Sequence, residues 1–424
     1  METVKTLMDE KLGGDVHRFL CRDFHPRFDL LQSRFPSNPA WRRLKQMGSE
    51  LWLDTGDFGG AEKVWTREFS ALTTNNTLLN KEVQTGYYDE FIRQAQAVLS
   101  AFHNLDEQGF RLEMAFILNA RHALRLVERF DAYVSVEEHT DLAHDVDRAV
   151  GYAVRYHRIC PERFYVKIPL TPAGLLATRR LSNMGIPINH TLGFSARQNY
   201  LITRIGRPQF VNVFLGRLNS FVADNQIGSG LYVGEKATLA SQAAIRQLRA
   251  HGVPSRQIGA SFRSGLQVRD LAGIDVMTIP LTAAQEFLDL DVPLERITDR
   301  TGTAYEPPLN PGVDSGAVRL DTLWDIEAQL VACVDKLEKE NLEAFTPDDL
   351  VEFMNRHGCG DLLVKWTPVE RELSTREGKI PRLENWKDAL AARRIGLDSL
   401  MNLAGLNSFV ADQKAMDDRV LKVI

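Results

Sequence analysis

The sequence predicts an α/β protein, a (β/α)8 TIM barrel with N-terminal helices and a mostly helical C-terminal extension. Two observations predict the barrel. Eight short runs of apolar or β-branched residues each end in a polar cluster, and segments with helical spacing lie between them. Eight such units in about 250 residues are typical of this fold. A doubly wound open sheet is the alternative, but no glycine-rich dinucleotide-binding sequence follows the first run.

The same patterns divide the chain into four segments: N-terminal helices over 1–47, the barrel over 48–300, a linker with a barrel-packing helix over 301–345, and a helical extension over 346–424. The predicted strands are Glu50–Leu53, Ala71–Thr74, Tyr133–Val136, Phe164–Ile168, Ile186–Thr191, Phe210–Leu215, Gln257–Phe262 and Val276–Ile279. The predicted helices include Lys81–Leu99, Asp141–Arg155, Pro172–Met184, Ala237–His251, Leu281–Phe287 and, after a Gly/Pro-rich linker, Thr322–Leu342.

Composition and charge exclude several function classes. The chain has 424 residues, with 51 Lys and Arg against 56 Asp and Glu, so it lacks the basic excess of a general nucleic-acid binder. No stretch approaches the roughly 18 apolar residues that a membrane helix needs. The first ten residues hold no apolar signal core. We therefore expect a cytoplasmic protein that binds neither nucleic acid nor membranes.

The cysteines and one acidic, histidine-containing segment do not predict a metal site. Cys21, Cys160, Cys333 and Cys359 form neither a CxxC nor a CxxH pair, which favours isolated thiols over zinc ligands or disulfides. Residues 139–147 hold two His and three Asp, and the start of a helix with an acid-rich first turn explains them better than a bound metal.

Polar residues follow the predicted strands. In a βα barrel the loops after the strands surround one mouth, where reactive residues gather. The residues at these positions are Asp54, Asn75, Glu137, Lys167, Asn189, Thr191, Arg217, Ser261 and Arg263. Lys167 is the most informative of them, because a charged ammonium is costly to bury in its apolar strand. Burial in general lowers the pKa of a lysine, and a neutral amine can form a Schiff base with a ketone.

Each of these residues also has a purely structural interpretation. Asp54 and Asp57 are suited to capping the next helix. Asn75 and Asn189 are suited to turns, and the two arginines to pairing with surface acids. Taken one at a time, the residues leave these alternatives open.

Taken together, seven motifs resemble those of the transaldolase family, in the same order along the chain. They are Leu53–Phe58, Thr73–Asn75, Val134–Glu137, Val166–Thr171, Asn189–Ser195, Phe214–Arg217 and Gly259–Arg263. The resemblance covers roughly residues 48–290, and the predicted helix Thr322–Leu342 is similar in position to the C-terminal helix of the family. The residues from 346 onward lie outside the compact family pattern.

The resemblance implies a role for each residue at the mouth. Lys167 would form a Schiff base with the C2 carbonyl of a ketose phosphate, and Asp54 would take the proton of the C4 hydroxyl as the C3–C4 bond breaks. Glu137 and Thr191 would hold a water that transfers protons. The remaining residues would bind the substrate: Asn75 and Asn189 the dihydroxyacetone hydroxyls, and Arg217, Ser261 and Arg263 the phosphate. No metal or cofactor is implied, because the iminium itself is the electron sink.

The implied activity is that of a pentose phosphate pathway transaldolase, which exchanges a dihydroxyacetone unit between sedoheptulose 7-phosphate and glyceraldehyde 3-phosphate, giving erythrose 4-phosphate and fructose 6-phosphate. The alternatives are a related Schiff-base aldolase or biosynthetic transaldolase with another phosphosugar, and a catalytically silent sugar-phosphate-binding barrel. The resemblance also makes Phe214 a substrate-binding residue, and it favours transaldolase, since the aldolase relatives tend to have tyrosine there. Asn76 and Asn212 stand where the family usually has proline and serine, and these differences bear on which sugar is bound.

Phosphorylated sugars are the expected partners. Whether the protein forms a homo-oligomer stays open.

Overall fold

The computed structural model describes residues 10–26, 28, 34–101 and 105–424. Eight parallel strands close into one barrel in chain order, which confirms the predicted (β/α)8 class. They are β1 Glu50–Asp54, β2 Phe69–Thr73, β3 Tyr133–Glu137, β4 Phe164–Pro169, β5 Ile188–Thr191, β6 Phe210–Phe214, β7 Arg256–Ala260 and β8 Val276–Pro280. Each predicted run overlaps its strand, and the ends differ by no more than two residues.

Helices follow the strands and extend the chain at both ends. Before and within the barrel they are α1 Glu10–Cys21, α2 Pro39–Gln46, α3 Phe58–Val64, α4 Asn76–Gln84, α5 Asp89–Leu99, α6 Glu107–Phe130, α7 Val146–Ile159, α8 Pro172–Asn183, α9 Ala196–Ile205, α10 Leu215–Asp224, α11 Val233–Ala250, α12 Gly265–Asp270 and α13 Leu281–Asp289. After the barrel they are α14 Ser315–Val318, α15 Ala328–Leu337, α16 Pro347–Arg356, α17 Pro368–Glu377, α18 Leu383–Ala391 and α19 Leu397–Leu421. The first nine residues of the predicted N-terminal helical segment lie outside the described residues.

Several helix predictions were wrong in their boundaries. Lys81–Leu99 is not continuous: Gly86, in the left-handed region at φ 82°, separates α4 from α5. Asp141–Arg155 begins instead with a short 3-10 turn, and α7 starts only after Asp145, whose side chain caps it. The helix predicted over Thr322–Leu342 is reduced to α15. The 24-residue helix α6 was missed altogether.

The long helix α19 lies across the carboxyl-terminal mouth of the barrel. Near its start, the side-chain amide of Asn402 donates to the carbonyl of Leu192, just after β5, at 3.0 Å. Further along, Asp412 accepts a hydrogen bond from Thr77 at the start of α4. At its far end Arg419 forms an ion pair with Asp89 at 2.6 Å. The C-terminal extension therefore contacts the segments that follow β2 and β5.

The apolar core does not stop at the barrel. Trp386, Leu400 and Met401 of the extension are buried in the same hydrophobic cluster as the strands. A second cluster joins α9 to α15 and α16 on the outside of the barrel. In the part of the chain that the structure describes, no helix combines the length and apolar character needed to cross a bilayer.

Candidate active site

A cavity of about 170 Å³ opens at the carboxyl-terminal mouth of the barrel. Nine residues predicted for the site line it: Asp54, Asn75, Lys167, Asn189, Thr191, Phe214, Arg217, Ser261 and Arg263. Glu137 does not line the cavity, but its carboxylate lies behind Lys167. The structure thus brings together all ten residues predicted from the strand ends and their motifs.

Lys167 stands at the centre of a row of polar residues. The strand register pairs it with Glu137 on β3 and with Asn189 on β5, so the three side chains share one face of the sheet. Its side chain is only 5 % exposed, and its Nζ lies 3.8 Å from the nearer carboxylate oxygen of Glu137. The same nitrogen donates to the backbone carbonyl of Thr74 at 3.3 Å. These contacts place the amine at the cavity floor with limited rotational freedom.

Asp54 ends β1 on the other side of the cavity floor. Its carboxylate accepts a hydrogen bond of 2.6 Å from Thr73, whose hydroxyl is also 2.6 Å from that of Thr278. Burial raises the pKa of Asp54, while the charge of Lys167 and the bond from Thr73 oppose the rise. Asp57, not Asp54, caps the next helix, accepting from Gly60 N at 3.0 Å. The capping interpretation is therefore right for Asp57 and wrong for Asp54.

Glu137 and Thr191 are both buried beside the lysine. One Glu137 oxygen accepts a hydrogen bond of 3.1 Å from the backbone N–H of Asn76. Burial raises the pKa of this carboxyl. The charge of Lys167 and, to a smaller extent, the hydrogen bond from Asn76 lower it. Asn76 is the first residue of α4, where proline is common because the N–H there has no helical partner. Asparagine instead of proline thus supplies Glu137 with a donor. The Thr191 hydroxyl is buried with no protein partner in the described part of the chain.

Three amides also line the cavity, on β5, on β6 and just after β2. Asn75 caps α4 by accepting from Leu78 N at 2.8 Å, which leaves its NH2 group for the cavity. Asn189 donates to Ser135 at 2.9 Å and accepts from Asn212 at 3.2 Å. The amide oxygen of Asn212 is buried, and no described residue donates to it. Asn75 therefore has a structural role as well as a place in the cavity wall, and Asn212 is one of the lining residues.

The remaining wall is cationic. Arg217 is largely buried against the ring of Phe214, and burial together with the nearby Arg263 lowers its pKa to about 10. Ser261 has a left-handed backbone, with φ 65°, which is strained for a residue other than glycine. A Cβ on Gly216 would lie 2.1 Å from the Ser261 carbonyl oxygen, so only glycine lets the start of α10 approach the loop after β7 this closely. This packing brings the two guanidinium groups and the serine to one end of the cavity.

Sequence reasoning missed several lining residues. Thr73 and Thr278 lie inside the barrel and needed only the alternation of strand residues to be found. Lys379 and Phe409 are different, because they come from the C-terminal extension. The ring of Phe409 lies 5.8 Å from Lys167 Nζ and 5.6 Å from the Arg217 guanidinium. No local pattern in the sequence points to either residue.

The segment containing His139, Asp141 and Asp145 has a structural explanation. His139 accepts from the backbone N–H of Asp141 and lies 3.2 Å from Asp417 of α19. Asp145 caps α7 by accepting from Arg148 N. Across the described residues, no group of three or more His, Cys, Asp or Glu side chains is placed to hold a metal ion.

Comparison with known proteins gives a consistent result. The family model described as transaldolase/fructose-6-phosphate aldolase matches residues 51–352. A transaldolase of Xanthomonas campestris pv. campestris is 29 % identical over 238 residues, covering 54 % of this chain and 72 % of the relative. A transaldolase of Thermosynechococcus vestitus is 27 % identical over 335 residues, 74 % of this chain and 81 % of the relative. Transaldolase A of Pasteurella multocida is 26 % identical over 306 residues, which cover 69 % of this chain and 95 % of the relative.

Proposed function

The chain belongs to the transaldolase/fructose-6-phosphate aldolase family, and from that premise we propose that it is a transaldolase that works through a Schiff base on Lys167. It takes a dihydroxyacetone unit from sedoheptulose 7-phosphate or fructose 6-phosphate and transfers it to glyceraldehyde 3-phosphate or erythrose 4-phosphate. The observation that carries the proposal is one cavity that holds a buried amine, a nearby aspartate and two arginines.

The first half of the reaction forms and uses the imine. The neutral amine of Lys167 attacks the C2 ketone, and the carbinolamine loses water to give an iminium ion. Glu137, 3.8 Å from the amine, takes and returns protons in the dehydration, through a water that Thr191 also holds. Asp54 then accepts the proton of the C4 hydroxyl. The C3–C4 bond breaks, and the electron pair of that bond moves into the iminium. General acid–base help of this kind is typically worth about 10²–10⁴ in rate.

The second half reverses these steps with another aldehyde. The enamine left on Lys167 attacks the acceptor carbonyl, Asp54 returns its proton to the new hydroxyl, and water releases the product ketose. The NH2 group of Asn75 and the amide of Asn189 hold the hydroxyls of the three-carbon unit meanwhile. Phe214 has no hydroxyl with which to position a water for protonating the enamine, which favours transfer over release of free dihydroxyacetone.

The phosphate of either substrate is bound at the cationic end of the cavity. Arg217, Ser261 and Arg263 offer guanidinium and hydroxyl donors, which suit the oxygens of a phosphate.

A second candidate is a transaldolase for a different phosphosugar in a biosynthetic pathway. The buried amide oxygen of Asn212, which no described residue satisfies, favours it. An unpaired buried acceptor costs about 1–3 kcal/mol, and a substrate hydroxyl that donates to it would recover that energy. A donor with a hydroxyl at this point would therefore be preferred.

Borohydride trapping with fructose 6-phosphate, followed by peptide mass analysis, tests the proposal. We expect a reduced adduct on Lys167 in the parent protein and none in Lys167→Ala. The turnover of Lys167→Ala should fall by far more than tenfold, where tenfold corresponds to about 1.4 kcal/mol in the barrier. Lys63→Ala, which removes an exposed lysine of α3, is the matched control and should be trapped like the parent.

The donor is varied in the same experiment. Preferential trapping with sedoheptulose 7-phosphate would still support a Lys167 Schiff base and would change only the preferred sugar. If neither ketose phosphate leaves an adduct on a protein that is folded by circular dichroism, the proposed transaldolase activity is wrong.

A further inference from the structure

The C-terminal extension supplies part of the active-site wall. Lys379 and Phe409 line the same cavity as Lys167, although both come after residue 352, where the match to the family model ends. Phe409 is buried, and its ring lies near both the Lys167 amine and the Arg217 guanidinium. Its side chain carries no polar group that could bind a substrate. Lys379 brings a positive charge to that end.

The charges around Lys379 are mostly of its own sign. Arg217, Arg263 and Lys81 are all near enough to influence it, and Asp412 is the nearby group of opposite charge. Partial burial and these cations lower the pKa of Lys379, against the attraction of Asp412. Asp54 lies near Arg263 and Lys81, and Glu137 near Arg217, so the cations outnumber the carboxylates around them. Their mutual repulsion has a cost in free energy that a bound anion would remove.

The three exposed cations in this cluster have no partner among the residues that the structure describes. Among the described residues, the side chains of Lys379, Lys81 and Arg263 make no hydrogen bond or ion pair. Asp412 accepts instead from the hydroxyl of Thr77, which anchors α19 to α4. If Lys379 served only to hold the extension on the barrel, it would be expected to pair with this carboxylate, and it does not.

We propose that Lys379 is a phosphate-binding residue, so that the extension completes the anion site begun by Arg217 and Arg263. This inference rests on the proposed transaldolase function and explains how the enzyme would select among its substrates. A phosphate monoester carries about −1.5 to −2 charges at pH 7. Arg217, Arg263 and Lys379 together supply enough positive charge to neutralise it, even with Asp412 nearby. The extension thereby makes the enzyme selective for phosphorylated sugars over neutral ones.

Steady-state kinetics of Lys379→Ala tests the role. We expect its KM for fructose 6-phosphate to rise about tenfold or more, with a smaller change in kcat, because the lost contact is made to the phosphate and not to the reacting carbons. Its KM for unphosphorylated fructose should stay that of the parent. Lys379→Arg should recover most of the affinity. Lys387→Ala, an exposed lysine of the extension paired with Glu384, is the matched control and should behave as the parent does.

Binding of inorganic phosphate gives a readout that does not need catalysis. Isothermal titration calorimetry should show weaker phosphate binding in Lys379→Ala by a similar factor. Unchanged phosphate affinity and unchanged KM in an active enzyme would overturn the role of Lys379 and leave the transaldolase proposal intact. An equal rise in KM for phosphorylated and unphosphorylated sugar would also overturn it. If the parent protein forms no Schiff base but Lys379→Ala still weakens phosphate binding, the transaldolase proposal fails and the anion site stands.

Discussion

At Asp54, burial and hydrogen bonding act on the carboxyl group in opposite directions. Burial favours the protonated form and raises the pKa, whereas Lys167 and the 2.6 Å bond from Thr73 favour the ionised form. A proton acceptor must be ionised to act. Activity should therefore be lost as the pH falls through the raised pKa of Asp54, above the ordinary aspartate range.

The substitution Thr73→Val tests this balance. It removes the hydroxyl that donates to the Asp54 carboxylate, so the pKa rises further and the acidic limb of the kcat/KM profile should move up by about one pH unit. The measurement is the pH dependence of kcat/KM. Thr203→Val, which removes a buried hydroxyl of α9 that is bonded to no described residue, is the control and should leave the limb in place. A shift to lower pH in Thr73→Val would contradict the assignment of the limb to Asp54.

Among the helices, α19 is held to the barrel by a buried ion pair. Asp398, in its first turn, is fully buried and accepts two bonds from Arg197 of α9, at 2.8 and 2.7 Å. The Ser195 hydroxyl donates to the same carboxylate at 2.6 Å. Arg197 also reaches Asp361 at 2.9 Å. These bonds fix the helix that carries Phe409 relative to the strand ends.

Asp398→Ala should therefore destabilise the whole protein. Removing Asp398 leaves the buried Arg197 paired, among the described residues, only with Asp361 and takes away the acceptor of Ser195. We expect the free energy of unfolding in urea to fall by about 3 kcal/mol, because Asp361 still compensates part of the charge. Lys414→Ala breaks an exposed pair with Asp418 on the same helix and should cost less than about 1 kcal/mol. Equal losses in the two variants would show that the buried pair does not anchor α19.

On the scale of the whole molecule, the extension belongs to the main hydrophobic core. Trp386, Leu390, Leu400 and Met401 are all buried there with residues of the barrel. Burying one such side chain stabilises a protein by about 1.5–3 kcal/mol, and a whole domain has a net stability of about 5–15 kcal/mol. The barrel is thus expected to depend on its extension.

Truncation before Thr346 should accordingly yield aggregated protein, because the apolar surface under the extension becomes exposed. Soluble yield and size-exclusion chromatography measure this outcome. A shorter truncation that removes only 422–424, beyond the end of α19, is the control and should stay soluble. Recovery of a soluble, folded 1–345 fragment would mean that the extension is a separate addition to the barrel.

Local sequence patterns were sufficient for the barrel and for most of its mouth. Strands and the polar residues that end them are adjacent in sequence, so Asp54, Glu137 and Lys167 could be predicted as neighbours once eight βα units were counted. The structure brings these predicted residues together, and their catalytic roles stay predictions. Helix boundaries such as the break at Gly86 were less predictable, because apolar spacing continues across it.

The contribution of Lys379 and Phe409 was decided only by tertiary structure. Their neighbours in sequence form an exposed loop and an ordinary helix, and neither carries a motif. They reach the cavity because Asp398 pairs with Arg197 and because the apolar residues of the extension bury themselves against the barrel. Packing between segments far apart in the chain depends on the shape of both surfaces, and residue spacing within one segment does not encode that shape.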